Sequence, residues 1–166
     1  NAIKAITIEY EGTASMINQD LLTRNIIHNL LGSFIDNVNS INAIEIAKSR
    51  NIKISTLQND QPSEYNTLIR LTLTTDRRSR SVAGSIFGGQ SRIVEIKGIK
   101  IDAELGNFNV YLTNKDKVGV INSVTQVLTK NNINIATFNL GRVSPEGEAI
   151  ALIQTDQICD EPILNY

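Results

Sequence analysis

Residues 107–141 read NFNVYLTNKDKVGVINSVTQVLTKNNINIATFNLG, and the change of period inside this stretch decides the fold. Phe108, Val110 and Leu112 alternate with Asn109, Tyr111 and Thr113, the two-residue period of a strand with one buried face. After Gly119 the apolar residues Val120, Ile121, Val124, Val127 and Leu128 recur at helical spacing and make one apolar stripe. Asn131-Asn132 closes that helix, and strands follow over 133–141 and 148–155, separated by a turn containing Pro145 and Gly147. The order β-α-β-β is three quarters of a ferredoxin-like βαββαβ unit. Ten residues follow Asp156, too few for the remaining helix and strand, so the unit is expected to be incomplete at its carboxy-terminal end.

Upstream, Ile3 to Tyr10 alternates as a strand, with Ile6 and Ile8 on one face and Thr7 and Glu9 on the other. Leu22, Ile26, Leu30 and Phe34 then recur every four residues, widened by Ile27 and Leu31, with Asp20 as the expected N-cap. A second helix is predicted over 42–50, with Ala43, Ile46 and Ala47 inward, followed by a strand around 52–57 and a polar loop over 59–65. Strands over 68–75, 81–87, 92–96 and 100–105 are joined by a basic turn at 76–79 and by Gly88-Gly89 and Lys97-Gly98, pairs suited to tight hairpin turns. The fold class is therefore α+β: a mixed α/β domain over 3–105, then the incomplete ferredoxin-like domain over 106–166. No internal repeat or low-complexity tract interrupts it.

Composition excludes several functions. An apolar share of 41% provides for a packed core, and a net charge of −1 provides no overall field to attract phosphate backbones or anionic lipid. Aromatics make up 5% of the chain and show no RNP spacing, so base stacking on the sheet is not expected, and nucleic acid is not an expected partner. No run approaches the roughly 18 consecutive apolar residues of a membrane span. The single cysteine, Cys159, has no partner for an intrachain disulfide and fits a reducing, cytoplasmic setting. One histidine and one cysteine cannot build a zinc site without carboxylate help, and His28 falls inside a helical pattern where packing or surface exposure accounts for it. No G-x-G-x-x-G follows a strand and no Walker A lysine is present. Gly84, Gly88 and Gly89 are spaced differently, so neither a cofactor nor a catalytic site is expected within these residues.

Two clusters could carry chemistry. The segment Asn114-Lys115-Asp116-Lys117-Val118-Gly119 joins a strand to a helix N-terminus, where free N–H groups and the positive end of the helix dipole suit a small carboxylate. Asn114 can donate to that carboxylate and Asp116 can accept from an ammonium group, which are the two ends of an amino acid. On geometry alone, the leading reading of these residues is that Asp116 caps the helix and Asn114 turns the chain. The second cluster is cationic: Arg77, Arg78 and Arg80, then Arg92, Lys97 and Lys100. Were Arg80, Arg92 and Lys100 to converge across strands, they would offer forked donors to a phosphate; otherwise they form a solvated surface.

The same residues carry a resemblance. Arg80-Ser81-Val82-Ala83-Gly84-Ser85-Ile86-Phe87-Gly88, Arg92-Ile93-Val94-Glu95-Ile96 and Ile101-Asp102-Ala103 resemble the intervening domain of long-form D-3-phosphoglycerate dehydrogenases, as do Ile6-Thr7-Ile8-Glu9-Tyr10-Glu11-Gly12, Val38-Asn39, Asn42-Ala43 and Ala47-Lys48. Asn132-Ile133-Asn134-Ile135-Ala136, Leu140-Gly141-Arg142 and Gly147-Glu148-Ala149 resemble the ACT domain that follows it. The resemblance implies a parent enzyme that uses NAD to oxidise 3-phosphoglycerate on the way to serine, with its nucleotide and substrate domains ahead of residue 3. It implies ACT pairing in a homo-oligomer, with L-serine as feedback inhibitor. By motif position Asn114 and Asp116 would hold serine, helped by the Val118-Gly119 turn, and Asn134 would complete the pocket from a neighbouring subunit. The intervening domain is implied to bind a phosphorylated small molecule, with Arg92 the first candidate and Lys100 and Arg80 after it. The family loop reads Pro-Gly where this chain has Val118-Gly119; valine keeps an N–H for a ligand but loosens the turn that proline would preorganise. Iron-sulfur L-serine dehydratases contain related domains, but their cluster needs several cysteines. A stand-alone amino-acid-binding ACT module is the remaining alternative.

Overall fold

The computed structural model describes residues 2–61, 64–160 and 163. They form an α+β chain that divides into two compact units, 1–89 and 90–166.

In the first unit, β1 (Ile3–Gly12) puts Ile6, Ile8 and Tyr10 on one face with no exposed surface, as its alternation predicts. Helices α1 (Gln19–Gly32) and α2 (Ala43–Ser49) close over that face with Ile27 and Leu31 from one and Ala43 and Ala47 from the other. The two helices form the crossover that lets β2 (Lys53–Asn59) pair parallel to β1. On the other side of β1 runs β3 (Thr67–Thr75), antiparallel, then β4 (Ser79–Phe87), so the strands lie in the order β2, β1, β3, β4. The face away from the helices is polar, with the Arg70 guanidinium 3.1 Å from Glu9 and 3.3 Å from Glu11.

Two local expectations change here. The N-cap of α1 is Asn18, whose side-chain oxygen accepts from the Leu21 N–H at 3.3 Å, while Asp20 sits in the first turn and pairs with Arg24 at 2.9 Å. Phe34, read as the end of the apolar stripe, is 69% exposed because the helix stops at Gly32 and the chain turns before reaching it. A 3-10 turn at Thr13–Met16, which the sequence pattern does not announce, follows β1.

In the second unit, β5 (Gln90–Ile96) and β6 (Ile99–Ala103) form a hairpin closed by Lys97 and Gly98 at φ 57° and 78°, the left-handed pair a two-residue turn requires. Then come β7 (Phe108–Lys115), α3 (Val120–Lys130), β8 (Ile135–Arg142) and β9 (Glu148–Thr155). The sheet order is β7-β9-β8, with β9 antiparallel to both neighbours, which is the first three strands of a ferredoxin-like unit. Its central place explains why residues 149–153 read as an unbroken apolar run and are all buried. Ala151 and Ile153 pack on the α3 side with Leu128, whereas Ile150 and Leu152 pack on the other side against Ile99, Ile101 and Ala103. That second contact groups the hairpin with the ferredoxin-like part, so the compact units divide at 89/90, against a boundary of 105/106 in the sequence reading. β6 and β8 approach so closely that a Cβ on Gly141 would run into the Lys100 carbonyl oxygen.

Candidate functional site

The site is built where β7 and β8 end and β9 begins. The strand register places Asn114 and Arg142 on either side of Ala149, so their backbones stand about 10 Å apart across β9. From Asn114 the chain leaves the sheet. The Asp116 N–H donates to the Gly147 carbonyl at 2.8 Å, which pins the loop to the β8–β9 turn. Gly119 then takes φ 93°, in the left-handed region, and turns the chain into α3. No side chain caps α3, so its first N–H groups lack side-chain partners. Val118, where the resemblance expects proline, is fully exposed on the outside of this turn.

Between the sheet and the first half of α3 lies a cavity of about 370 Å³. Leu112, Ala149 and Ala151 line it from the sheet, Val120, Ile121 and Val124 from the helix, and Phe138 and Leu140 from β8. Its polar groups are Asn114, Asp116, Lys117 and Arg142. The Asn114 side-chain amide donates to the Lys115 carbonyl at 2.6 Å, and the Asp116 carboxylate accepts from the Arg142 guanidinium at 2.6 Å. Two of the serine-site residues expected from the sequence, Asn114 and Asp116, thus share one cavity, with Gly119 shaping the turn beside them.

Asn134 lies elsewhere. It precedes β8 at the opposite end of the sheet, roughly 25 Å along the strands from Arg142, and its amide donates to Asp156 at 2.6 Å. Within one chain it does not meet Asn114 and Asp116; the resemblance assigns it to the pocket of a neighbouring subunit.

Arg142 was not among the residues selected from sequence. It was visible only as the last residue of Leu140-Gly141-Arg142. The alternation ends at Gly141, so nothing in the pattern showed that β8 runs one residue further and aims Arg142 at the corner. The pairing of Arg142 with Ala149 that places it there is a matter of strand register.

The cationic residues are distributed differently. Arg92 holds Asp102 through Nε and Glu104 through Nη1, the latter at 2.6 Å. The hydrogen bond to Asp102 raises its pKa, against a smaller lowering by desolvation, and Glu104 adds to the rise. Lys100 sits opposite Glu95 on the same hairpin, about 10 Å further along. Arg80 belongs to the first unit, exposed on β4 opposite Leu73. His28 is half-buried on α1. Among the described residues no group of three or more His, Cys, Asp or Glu side chains is placed to hold a metal, and no helix is long and apolar enough to cross a membrane.

A family model described as the D-3-phosphoglycerate dehydrogenase intervening domain matches residues 1–97. The chain is 34% identical over 166 residues to a D-3-phosphoglycerate dehydrogenase of Bacillus subtilis, covering 98% of the chain and 31% of that protein. It is 26% identical over 164 residues to the D-3-phosphoglycerate dehydrogenase of Methanocaldococcus jannaschii, again 98% of the chain and 31% of the relative. It is also 27% identical over 124 residues to a probable L-serine dehydratase beta chain of Bacillus subtilis, covering 74% of the chain and 56% of that protein. The chain thus spans about a third of the length of the dehydrogenases it matches.

Proposed function

Since the chain belongs to the D-3-phosphoglycerate dehydrogenase intervening-domain family, we propose that it is the carboxy-terminal regulatory region of such an enzyme and that it binds L-serine at the corner formed by Asn114, Asp116, Val118 and Gly119. The observation that carries this reading is the cavity beside α3 with Asp116 among its polar lining groups. A free amino acid brings one ammonium and one carboxylate. Asp116 takes the ammonium, and the uncapped N–H groups of α3 favour the carboxylate. Residues 106–166 then act as an ACT domain that pairs with a second copy, with the partner's Asn134 closing the pocket. Effector binding biases the assembly by a coupling of about 1 to 3 kcal/mol.

The chemistry of the parent, oxidation of 3-phosphoglycerate with NAD, falls to residues outside this chain. The glycines here do not suit a dinucleotide: Gly84, Gly88 and Gly89 lie in and just after strand β4, and α3 opens from a single glycine. A phosphorylated effector on the hairpin would use Arg92 and Lys100 and would have to displace Asp102 and Glu104 from Arg92.

The test is titration calorimetry of L-serine into the chain and into Asp116→Ala. Saturable heat is expected from the first and at least about tenfold weaker binding from the second, since a charge-assisted hydrogen bond is lost. Equal binding by both proteins would end the assignment of the corner. A second reading is favoured by the similarity to the L-serine dehydratase beta chain, namely that the same module serves a serine-deaminating enzyme. The two separate in an assay of the full-length gene product: NADH formation from 3-phosphoglycerate supports the first, and pyruvate formation from serine supports the second.

A further inference from the structure

The polar groups at the corner are already engaged, in part by a residue that the proposed serine site does not use. The Asp116 carboxylate, assigned to the ligand's ammonium group, is already engaged by Arg142 at 2.6 Å. Both side chains line the cavity, and neither is deeply buried, with 32% of Asp116 and 58% of Arg142 exposed. The Asn114 amide, assigned to the ligand's carboxylate, spends a donor on the Lys115 carbonyl at 2.6 Å. A zwitterion arriving here therefore meets an occupied acceptor and a partly occupied donor.

We propose that Arg142 is the carboxylate-binding residue of this site, and that the amino acid binds by inserting into the Asp116–Arg142 ion pair. The proposal rests on the reading of the corner as an amino-acid site. The exchange balances in charge: one ion pair opens and two form, Asp116 with the ammonium and Arg142 with the carboxylate. A planar guanidinium meets a carboxylate with two parallel N–H donors, a match that neither the Asn114 amide nor a lysine offers. The geometry also says which partner moves. The Asp116 N–H is pinned to Gly147 at 2.8 Å, and the Arg142 backbone is fixed in β8 against Ala149, with the adjoining Val143 N–H bonded to Glu148 at 3.0 Å. With both backbones held, the pair opens by side-chain rotation, and the arginine, longer and more exposed, has the greater freedom to swing aside and close again over the ligand. Lys117 also lines the cavity and is the competing cation.

In the absence of ligand the pair keeps Asp116 and Arg142 satisfied by each other. The same pair discriminates among ligands. A simple amine could satisfy Asp116 only by leaving Arg142 unpaired, and a simple carboxylate would leave Asp116 unpaired. A zwitterion satisfies both.

The experiment is calorimetry on the intact chain with L-serine, L-serinamide and ethanolamine, repeated on Arg142→Met, Arg142→Lys and Lys117→Met, with thermal melts of each variant. In the unaltered chain L-serine should bind at least about tenfold more tightly than L-serinamide, the preference worth one charge-assisted contact. Arg142→Met should abolish that preference by weakening serine, while serinamide binds no more weakly because Asp116 is then free to take its ammonium. Arg142→Lys should restore part of it, and Lys117→Met should leave it intact. If Arg142→Met retains the preference, or if Lys117→Met removes it, the proposal is overturned while the amino-acid site stands. If Arg142→Met loses serine and serinamide alike with an unchanged melt, arginine is not the carboxylate partner and the proposal also fails. If the unaltered chain binds none of the three ligands, both this proposal and the reading beneath it are lost.

Discussion

Helices α1 and α3 both cover a β-sheet with a stripe of apolar residues, yet one makes a sealed core and the other a cavity. In the first unit Ile27 and Leu31 of α1 meet Ile6, Ile8 and Tyr10 with no solvent-exposed surface on any of the five. In the second unit α3 carries five apolar residues at helical spacing, but Leu128 alone among them is buried. Val120, Ile121 and Val124 face the space beside Asn114, and Ile121 is 49% exposed. Apolar periodicity therefore marks which face of a helix turns inward without saying whether anything fills the gap. The second unit recovers burial on the opposite face, where the β5–β6 hairpin packs on Ile150 and Leu152, so its sheet is held from behind while its front keeps a cavity.

This contrast makes its largest prediction at Ile8. Ile8→Ala should cost about 2 to 5 kcal/mol, because the surrounding helices and strands cannot collapse into the space left behind. Val124→Ala, on the wall of an existing cavity, should cost less than about 1 kcal/mol. Urea denaturation of the two variants measures both. Similar losses would mean that the second unit is as tightly packed as the first and that the cavity is no reservoir for a ligand.

The support behind the open face can be broken separately. A methyl group at Gly141 points at the Lys100 backbone oxygen, which cannot swing away, so Gly141→Ala should cost about 1 to 3 kcal/mol through overpacking. A methyl at Gly106 runs into the Gln154 side chain from its amide back to Cγ, which must swing away as a whole but is not backbone, so Gly106→Ala should cost less than Gly141→Ala, about 1 kcal/mol. Because Gly141 adjoins Arg142, its variant should also weaken amino-acid binding where Gly106→Ala does not. Equal stability of the two glycine variants would show that the hairpin sits more loosely on the sheet than Gly141 and Lys100 indicate.

Much of this was legible from residue patterns, for identifiable reasons. The alternation of β1 and the four-residue spacing of α1 found the core because a single buried face imposes a single period. The Lys97-Gly98 turn was readable because few residues tolerate two successive positive φ values. The corner at Asn114 was readable because a strand-to-helix junction exposes N–H groups whatever the tertiary packing. What escaped depends on contacts between segments distant in sequence. β9 alone cannot reveal that its even-numbered residues meet Ile99 and Ile101, so the packing of the hairpin on the later sheet was not legible. Arg142 escaped for the same reason: its role at the corner depends on a pairing with Ala149 across the β8–β9 turn. The N-cap shifted from Asp20 to Asn18 because either side chain can cap, and Asp20 is occupied by Arg24, four residues along the same helix.

The smallest effect tests how well sealed the first core is. The Tyr10 hydroxyl lies in that core, bonded to Thr23 Oγ1 at 2.8 Å, and burial raises its pKa above the ordinary 10.0 while the hydrogen bond lowers it somewhat. At neutral pH Tyr10→Phe removes one buried hydrogen bond and should cost about 1 kcal/mol. At alkaline pH the difference shrinks. Above about pH 10 the tyrosine of the unfolded chain ionises while the folded one stays protonated, so the folded state binds more protons and unfolding becomes easier as pH rises. This loss continues until the pH passes the raised folded value, and the phenylalanine variant escapes it entirely. Stability curves for the two proteins should therefore keep their neutral-pH separation up to about pH 10 and converge above it. Parallel curves would mean that Tyr10 titrates alike in the folded and unfolded states, with water reaching the hydroxyl, and the distinction between a sealed and an open unit would lose its sharpest edge.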